Sequence, residues 1–214
     1  MFEFSSKTKL DKPFKLTDLF RQVNADKEVK KDAAGITGVV LTNVISPKTL
    51  NRAADGEIRE IYVFEITVSQ QYVPDLFIKE LDKNIKLHTL FNVRFGELEY
   101  SMISYKLGTE KGKYYATNWE SEADFPVPPV GSVPELYKFI LSKFLKYPPF
   151  ERESPGEYIK RSNQLTKLDF QIGKTQSAIM HETQSKRRFE YNARLKQYKE
   201  EREKLLEGKW SGKK

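Results

Sequence analysis

Cysteine is missing from the 214 residues, and histidine occurs only twice. The first absence excludes disulfides, thiol catalysis and Cys-ligated zinc together. The second leaves His88 and His181 far apart and outside any recognised ligand spacing, so neither a metal nor a cofactor is expected. No apolar run approaches the roughly 20 residues needed to span a bilayer. The opening Met1-Phe2-Glu3-Phe4-Ser5-Ser6-Lys7 also lacks the apolar stretch of a signal peptide. The expectation is a cytoplasmic protein with no membrane partner. Phosphate-loop signatures are missing too. Gly35 and Gly38 are not followed by Gly-Lys-Ser/Thr, and Gly173-Lys174-Thr175 lacks the upstream glycines.

What remains is enough for a packed core. Hydrophobic residues make up 38% of the chain, with 14 Phe and 11 Tyr that suit strands and aromatic packing. The net charge of +7 favours an anionic partner over a cationic one. Most of that excess is local, because residues 177–214 carry 11 Lys/Arg against 6 Glu.

Patterning predicts an α/β or α+β domain with a central mixed or antiparallel sheet flanked by helices and a long C-terminal helix. Residues 1–35 read as a polar helical leader with short helices over 16–23 and 26–34. Residues 36–150 read as the mixed-sheet core. Its strongest strand is Ile58 through Val68, reached through an Asp55-Gly56 turn and with both faces at least half covered. A helix starting at Pro74 carries Phe77, Leu81 and Ile85 on one side. Strands over 89–95 and 98–106 join through Gly96-Glu97 as a hairpin, and 113–117 adds an edge strand. Residues 125–131 read as a Pro-rich extended connector. Ser132 and Glu135 form a capping box for the helix that follows.

Residues 151–174 read as a connector with a short helix over 157–165, and 175–214 as a long basic helix and tail. Tyr191, Leu195, Tyr198 and Leu205 fall near one stripe of that helix, interrupted by Arg202. The stripe suits a hairpin with an earlier segment, a partner's groove or a coiled-coil homodimer.

Several segments in fixed order resemble an uncharacterised family, domain of unknown function 4391. They are Glu60-Ile61-Tyr62-Val63-Phe64-Glu65-Ile66, Leu81-Asp82-Lys83-Asn84-Ile85, Leu90-Phe91-Asn92-Val93 and Ile103-Ser104-Tyr105-Lys106. Tyr114-Tyr115-Ala116-Thr117-Asn118-Trp119 and Arg188-Phe189-Glu190-Tyr191-Asn192 continue the series. The family has no assigned activity, and its members often occur beside helicase, methyltransferase or restriction-type genes. The resemblance therefore implies an accessory role in nucleic-acid processing or defence, with a helicase or methyltransferase-type subunit as protein partner.

The richest candidate site is the basic-aromatic stretch of the last helix. Lys186, Arg187, Arg188, Arg194 and Lys196 are placed to attract phosphates of DNA or RNA, and Phe189 and Tyr191 to stack on bases or dock a partner subunit. A purely protein-binding assembly role fits the same helix. The one enzymatic alternative is a divalent-metal nuclease near Glu65, with Lys106 as counter-charge and phosphate ligand. Glu65-Ile66-Thr67 lacks the acid-x-lysine order that this chemistry uses, and a structural ion pair is the plain reading of the two residues.

Overall fold

The computed structural model describes residues 2–52, 56–108, 112–121 and 125–208. The chain divides into two compact units, Met1–Phe144 and Leu145–Lys214.

The first unit runs β1 (Phe2–Glu3), β2 (Lys9–Phe14), α1 (Leu16–Gln22), α2 (Lys27–Asp32), β3 (Ile36–Ile45), α3 (Pro47–Leu50), β4 (Ile61–Val68) and α4 (Asp75–Asn84). It continues through β5 (His88–Phe95), β6 (Leu98–Tyr105), β7 (Lys113–Ala116), β8 (Glu120–Ser121), β9 (Phe125–Pro126) and α5 (Val133–Leu141). The main sheet has the order β2-β3-β4-β5-β6-β7, with β8 on β6, and β1 pairs with β9 separately. Among the described residues only β4 and β5 run parallel in the main sheet, and their register sets Glu65 beside Asn92. A parallel pair needs a long crossover, which α4 supplies.

Alternation gives the sheet two unlike faces. Val39, Leu41, Phe64, Ile66, Phe91, Val93 and Met102 join Leu19, Val29, Phe77, Ile78 and Leu81 of α1, α2 and α4 in one apolar core. The intervening residues, among them Glu65, Asn92, Arg94 and Ser101, lie on the other face. The expected mixed sheet flanked by helices is therefore what forms. No described helix is long and apolar enough to cross a membrane.

Local expectations hold at several turns. Gly96, at φ +57, turns β5 into β6. Asp55 of the expected turn lies outside the described residues. Its neighbour Gly56 has φ +74, and a Cβ there would meet Pro134 Cγ at 2.8 Å. Ser132 caps α5 by accepting from the Glu135 amide, but the box is half made, because the Glu135 carboxylate takes the Gly131 amide instead. Within the expected Pro-rich connector, Phe125–Pro126 pairs with β1.

The leader differs from expectation. Residues 9–14 form β2, an edge strand antiparallel to β3, with Phe14 opposite Val39. Its sequence, Lys-Leu-Asp-Lys-Pro-Phe, shows no clean alternation because an edge strand is hardly buried and tolerates Pro and Lys. Asp11 sits at φ 49 where the register shifts.

His88, 5% exposed, packs edge-on against Tyr137 at 4.9 Å. Burial lowers its pKa to about 4, the Lys106 charge adds to the drop, and Asp82 opposes it. The unfolded chain takes up this proton near pH 6.5 and the folded unit only near 4, so stability is lost as pH falls through that window. We expect a loss of about 2 kcal/mol between pH 7 and 4.5, read from urea midpoints. His88→Phe should flatten that slope, and an unchanged slope would contradict the assignment.

The second unit holds α6 (Pro155–His181) and α7 (Ser185–Leu206). Ser154 and Glu157 form a complete capping box and Pro155 occupies the first turn, so α6 starts where its sequence says. Expected as a short helix over 157–165, it instead runs 27 residues, straight through Gly173. An exposed glycine in a helix costs only about 1 kcal/mol, too little to stop one held by its neighbour. The single helix expected from residue 175 is broken at residues 182–184, where Glu182 is extended and its side chain accepts from the Gln184 amide. Past the break α7 folds back on α6. Leu165 and Leu168 meet Leu205 and Tyr198, and Gln164 bonds Glu201 at 2.7 Å. The C-terminal stripe thus pairs with an earlier segment of its own chain.

Candidate functional site

The base of the helical hairpin is tied by one carboxylate. Asp169 accepts from Lys146 Nζ at 2.5 Å, from Arg202 Nε at 2.8 Å and from the Tyr147 hydroxyl. Burial pushes its pKa up, but these donors outweigh burial and hold the carboxyl well below the usual carboxylate range. Arg202, the interruption in the apolar stripe, is thereby explained. It crosses to α6.

With the helices fixed side by side, their flanks enclose a groove of about 470 Å³. Lys167, Phe170 and Lys174 of α6 face Tyr191, Arg194 and Tyr198 of α7, and among the described residues no carboxylate lines it. Phe170 is 71% exposed although it is a phenylalanine on an ordered helix. The groove therefore joins three cations to three aromatic rings. Its chemistry suits a ligand that carries both negative charge and flat apolar surface.

The residues singled out in the sequence separate on the helix. Arg187, Tyr191, Arg194 and Tyr198 recur at steps of three and four and share one side of α7. Tyr191 and Arg194 line the groove, and Arg187 lies 4.0 Å from Glu182 at the hairpin turn. Phe189, 76% exposed, and Lys196, 3.9 Å from Glu200, lie about half a turn away at roughly 100° per residue. Lys186 and Arg188 are exposed on intermediate flanks. Sequence reasoning missed Lys167, Phe170 and Lys174. Their spacing of three and four marks one face of a helix, a signal that carries weight only once the segment is known to be helical.

Glu65 and Lys106 are not brought together. Glu65 pairs with Arg94 at 3.1 Å on one face of the sheet. Lys106 reaches beneath α4 on the other face, 2.7 Å from Asp82 Oδ1, and also donates to the Asp82 and Ile85 carbonyls. The expected pairing fails because β5 lies between β4 and β6 and the two side chains lie on opposite faces of the sheet, where each finds a nearer counter-charge. Among the described residues, no group of three or more His, Asp or Glu side chains is arranged to hold a metal ion.

One family model matches residues 2–201. The chain belongs to that family, a domain of unknown function (DUF4391). The DUF4391 match takes in the whole sheet and extends past every lining residue of the hairpin groove. No curated protein and no solved structure matches the chain.

Proposed function

We propose that this DUF4391 protein is a non-catalytic accessory subunit that binds single-stranded nucleic acid in the groove between α6 and α7. The observation that carries the reading is the groove's lining of Lys167, Lys174 and Arg194 around Phe170, Tyr191 and Tyr198, with no acidic side chain among the residues that form it. Cations spaced along such a groove follow a phosphate backbone, and each neutralised phosphate releases counterions. Exposed rings stack on bases, which are accessible only when unpaired, at about 1–3 kcal/mol per base. The single-stranded form is favoured for that reason.

The test is a comparison of variants by fluorescence anisotropy on labelled oligothymidine and oligouridine. Lys174→Glu and Arg194→Glu should each weaken binding by roughly tenfold. Phe170→Ala should weaken it by about fivefold or more while leaving its salt dependence unchanged, because stacking moves no counterions. Lys196→Glu, half a turn away on α7, should change little. Equal losses from groove and non-groove charge reversals would reduce the interaction to diffuse attraction and overturn the site. Salt-resistant association with a protein and no oligonucleotide binding would favour the assembly role instead.

A further inference from the structure

The sheet face that carries Glu65 has no part in the hairpin reading, yet it forms a second cleft. It measures about 490 Å³, within the range of small-ligand sites. Phe2 and Phe4, stacked at 5.9 Å between ring centres, form an apolar wall, and Glu65, Asn92 and Arg94 present polar groups at its floor.

The floor is held rigidly. Arg94 Nη1 donates to Glu65 Oε2 at 3.1 Å, which fixes the carboxylate among the lining residues of the cleft, and each of its oxygens keeps a lone pair for a further donor. Asn92 is 2% exposed on the central strand β5, and its Oδ1 accepts from Ser101 Oγ at 2.9 Å. That bond orients the carboxamide so that Nδ2 is the group left to donate to an occupant. Glu65 and Asn92 are register partners on adjacent parallel strands, so acceptor and donor stand side by side. An ordinary structural ion pair needs neither the aromatic wall nor an amide oriented beside it.

We infer that this cleft binds a guanine base. Guanine's edge presents O6, N1–H and the 2-amino group in order, one acceptor followed by two donors. The Asn92 amide donates to O6, and the Glu65 carboxylate accepts from N1–H and the 2-amino group, a charge-assisted pair. Phe4, partly exposed and backed by the buried Phe2, covers the ring. Adenine presents a donor where guanine has O6 and no donor at N1, so it leaves both Asn92 and Glu65 unmatched.

The experiment is isothermal titration of the full chain with GMP, IMP, AMP and ribose 5-phosphate, which share the sugar phosphate. GMP is expected to bind, IMP about tenfold more weakly for want of the 2-amino group, and AMP no better than ribose 5-phosphate. Glu65→Gln should abolish the preference for GMP over AMP with the far-UV circular dichroism unchanged. If that variant loses its fold, Phe4→Ala, at a partly exposed position on the wall, should weaken GMP several-fold without altering the selectivity. Lys174→Glu, in the other unit, should leave GMP affinity intact, which keeps this result separate from the hairpin reading. Absence of GMP binding, or equal binding of GMP and AMP, would overturn the assignment.

Discussion

Asp82→Ala is expected to destabilise the first unit by about 3–5 kcal/mol, the range for stripping one partner from a buried ion pair. Asp82 is 4% exposed and holds four side chains at once. Lys106 Nζ lies 2.7 Å from Oδ1, Ser104 Oγ donates to Oδ1 at 3.1 Å, the Tyr114 hydroxyl to Oδ2 at 2.8 Å, and Thr89 Oγ1 to Oδ1. These donors come from β5, β6, β7 and the residue just past β6, while Asp82 itself lies near the end of α4. The carboxylate therefore clamps the crossover helix to three strands. Its removal strands an ammonium under α4, whose pKa burial already lowers.

Two carbonyls, of Asp82 and Ile85, still accept from Lys106 in the variant and soften the loss toward the lower end. Asp82→Asn should cost less than Asp82→Ala, since a carboxamide oxygen still accepts from the hydroxyls. Urea denaturation followed by far-UV circular dichroism measures both. A loss below about 1 kcal/mol for Asp82→Ala would show that the network is solvated and not a clamp.

In the second unit the largest effect is expected from Arg161→Ala, again about 3–5 kcal/mol. Arg161 lies inside the first turns of α6 and is 3% exposed. Its Nε bonds Glu153 Oε1 at 2.6 Å, and Nη2 bonds Glu153 Oε2 at 2.8 Å and the Pro148 carbonyl at 2.7 Å. The guanidinium also lies 4.0 Å from the centre of the Phe150 ring. One planar group thus fastens residues 148–153 to the helix that carries half of the groove. Lysine has neither the fork nor the flat face, so Arg161→Lys should recover little of the loss. Amide hydrogen exchange across residues 155–165 reads the effect directly. Protection factors that match the wild type in Arg161→Ala would contradict it.

These two clamps were the least legible features of the sequence. The sheet is readable because Ile61–Val68 is a run of β-branched and aromatic residues and the β5–β6 hairpin carries a turn glycine. Each signal is local. The Asp82 clamp links residues 82, 89, 104, 106 and 114, and no periodicity marks such a set. Glu65 stands out in the sequence as a charge on an apolar strand, but its partner depends on register and face, which place Arg94 beside it and Lys106 away from it.

The C-terminal half shows the same limit from another side. Charge and aromatic content identified Tyr191 and Arg194 without help from the fold. The break at residues 182–184 contains neither Gly nor Pro, so nothing local announced that the helix would turn back. With the turn unseen, Lys167, Phe170 and Lys174 had no visible relation to α7. The residues on α7 alone looked like a ring of charge around a rod, whereas the hairpin selects one side of it.

The most direct test of the groove is the salt dependence of oligothymidine binding by the intact chain. Three cations contacting a single strand predict a slope of log K against log salt of about −2, and Arg194→Ala should make it shallower by roughly 0.7. A slope of that size that falls stepwise as Lys167, Lys174 and Arg194 are removed would support phosphate recognition in the groove. Binding absent at low salt, or a slope indifferent to all three substitutions, would contradict it.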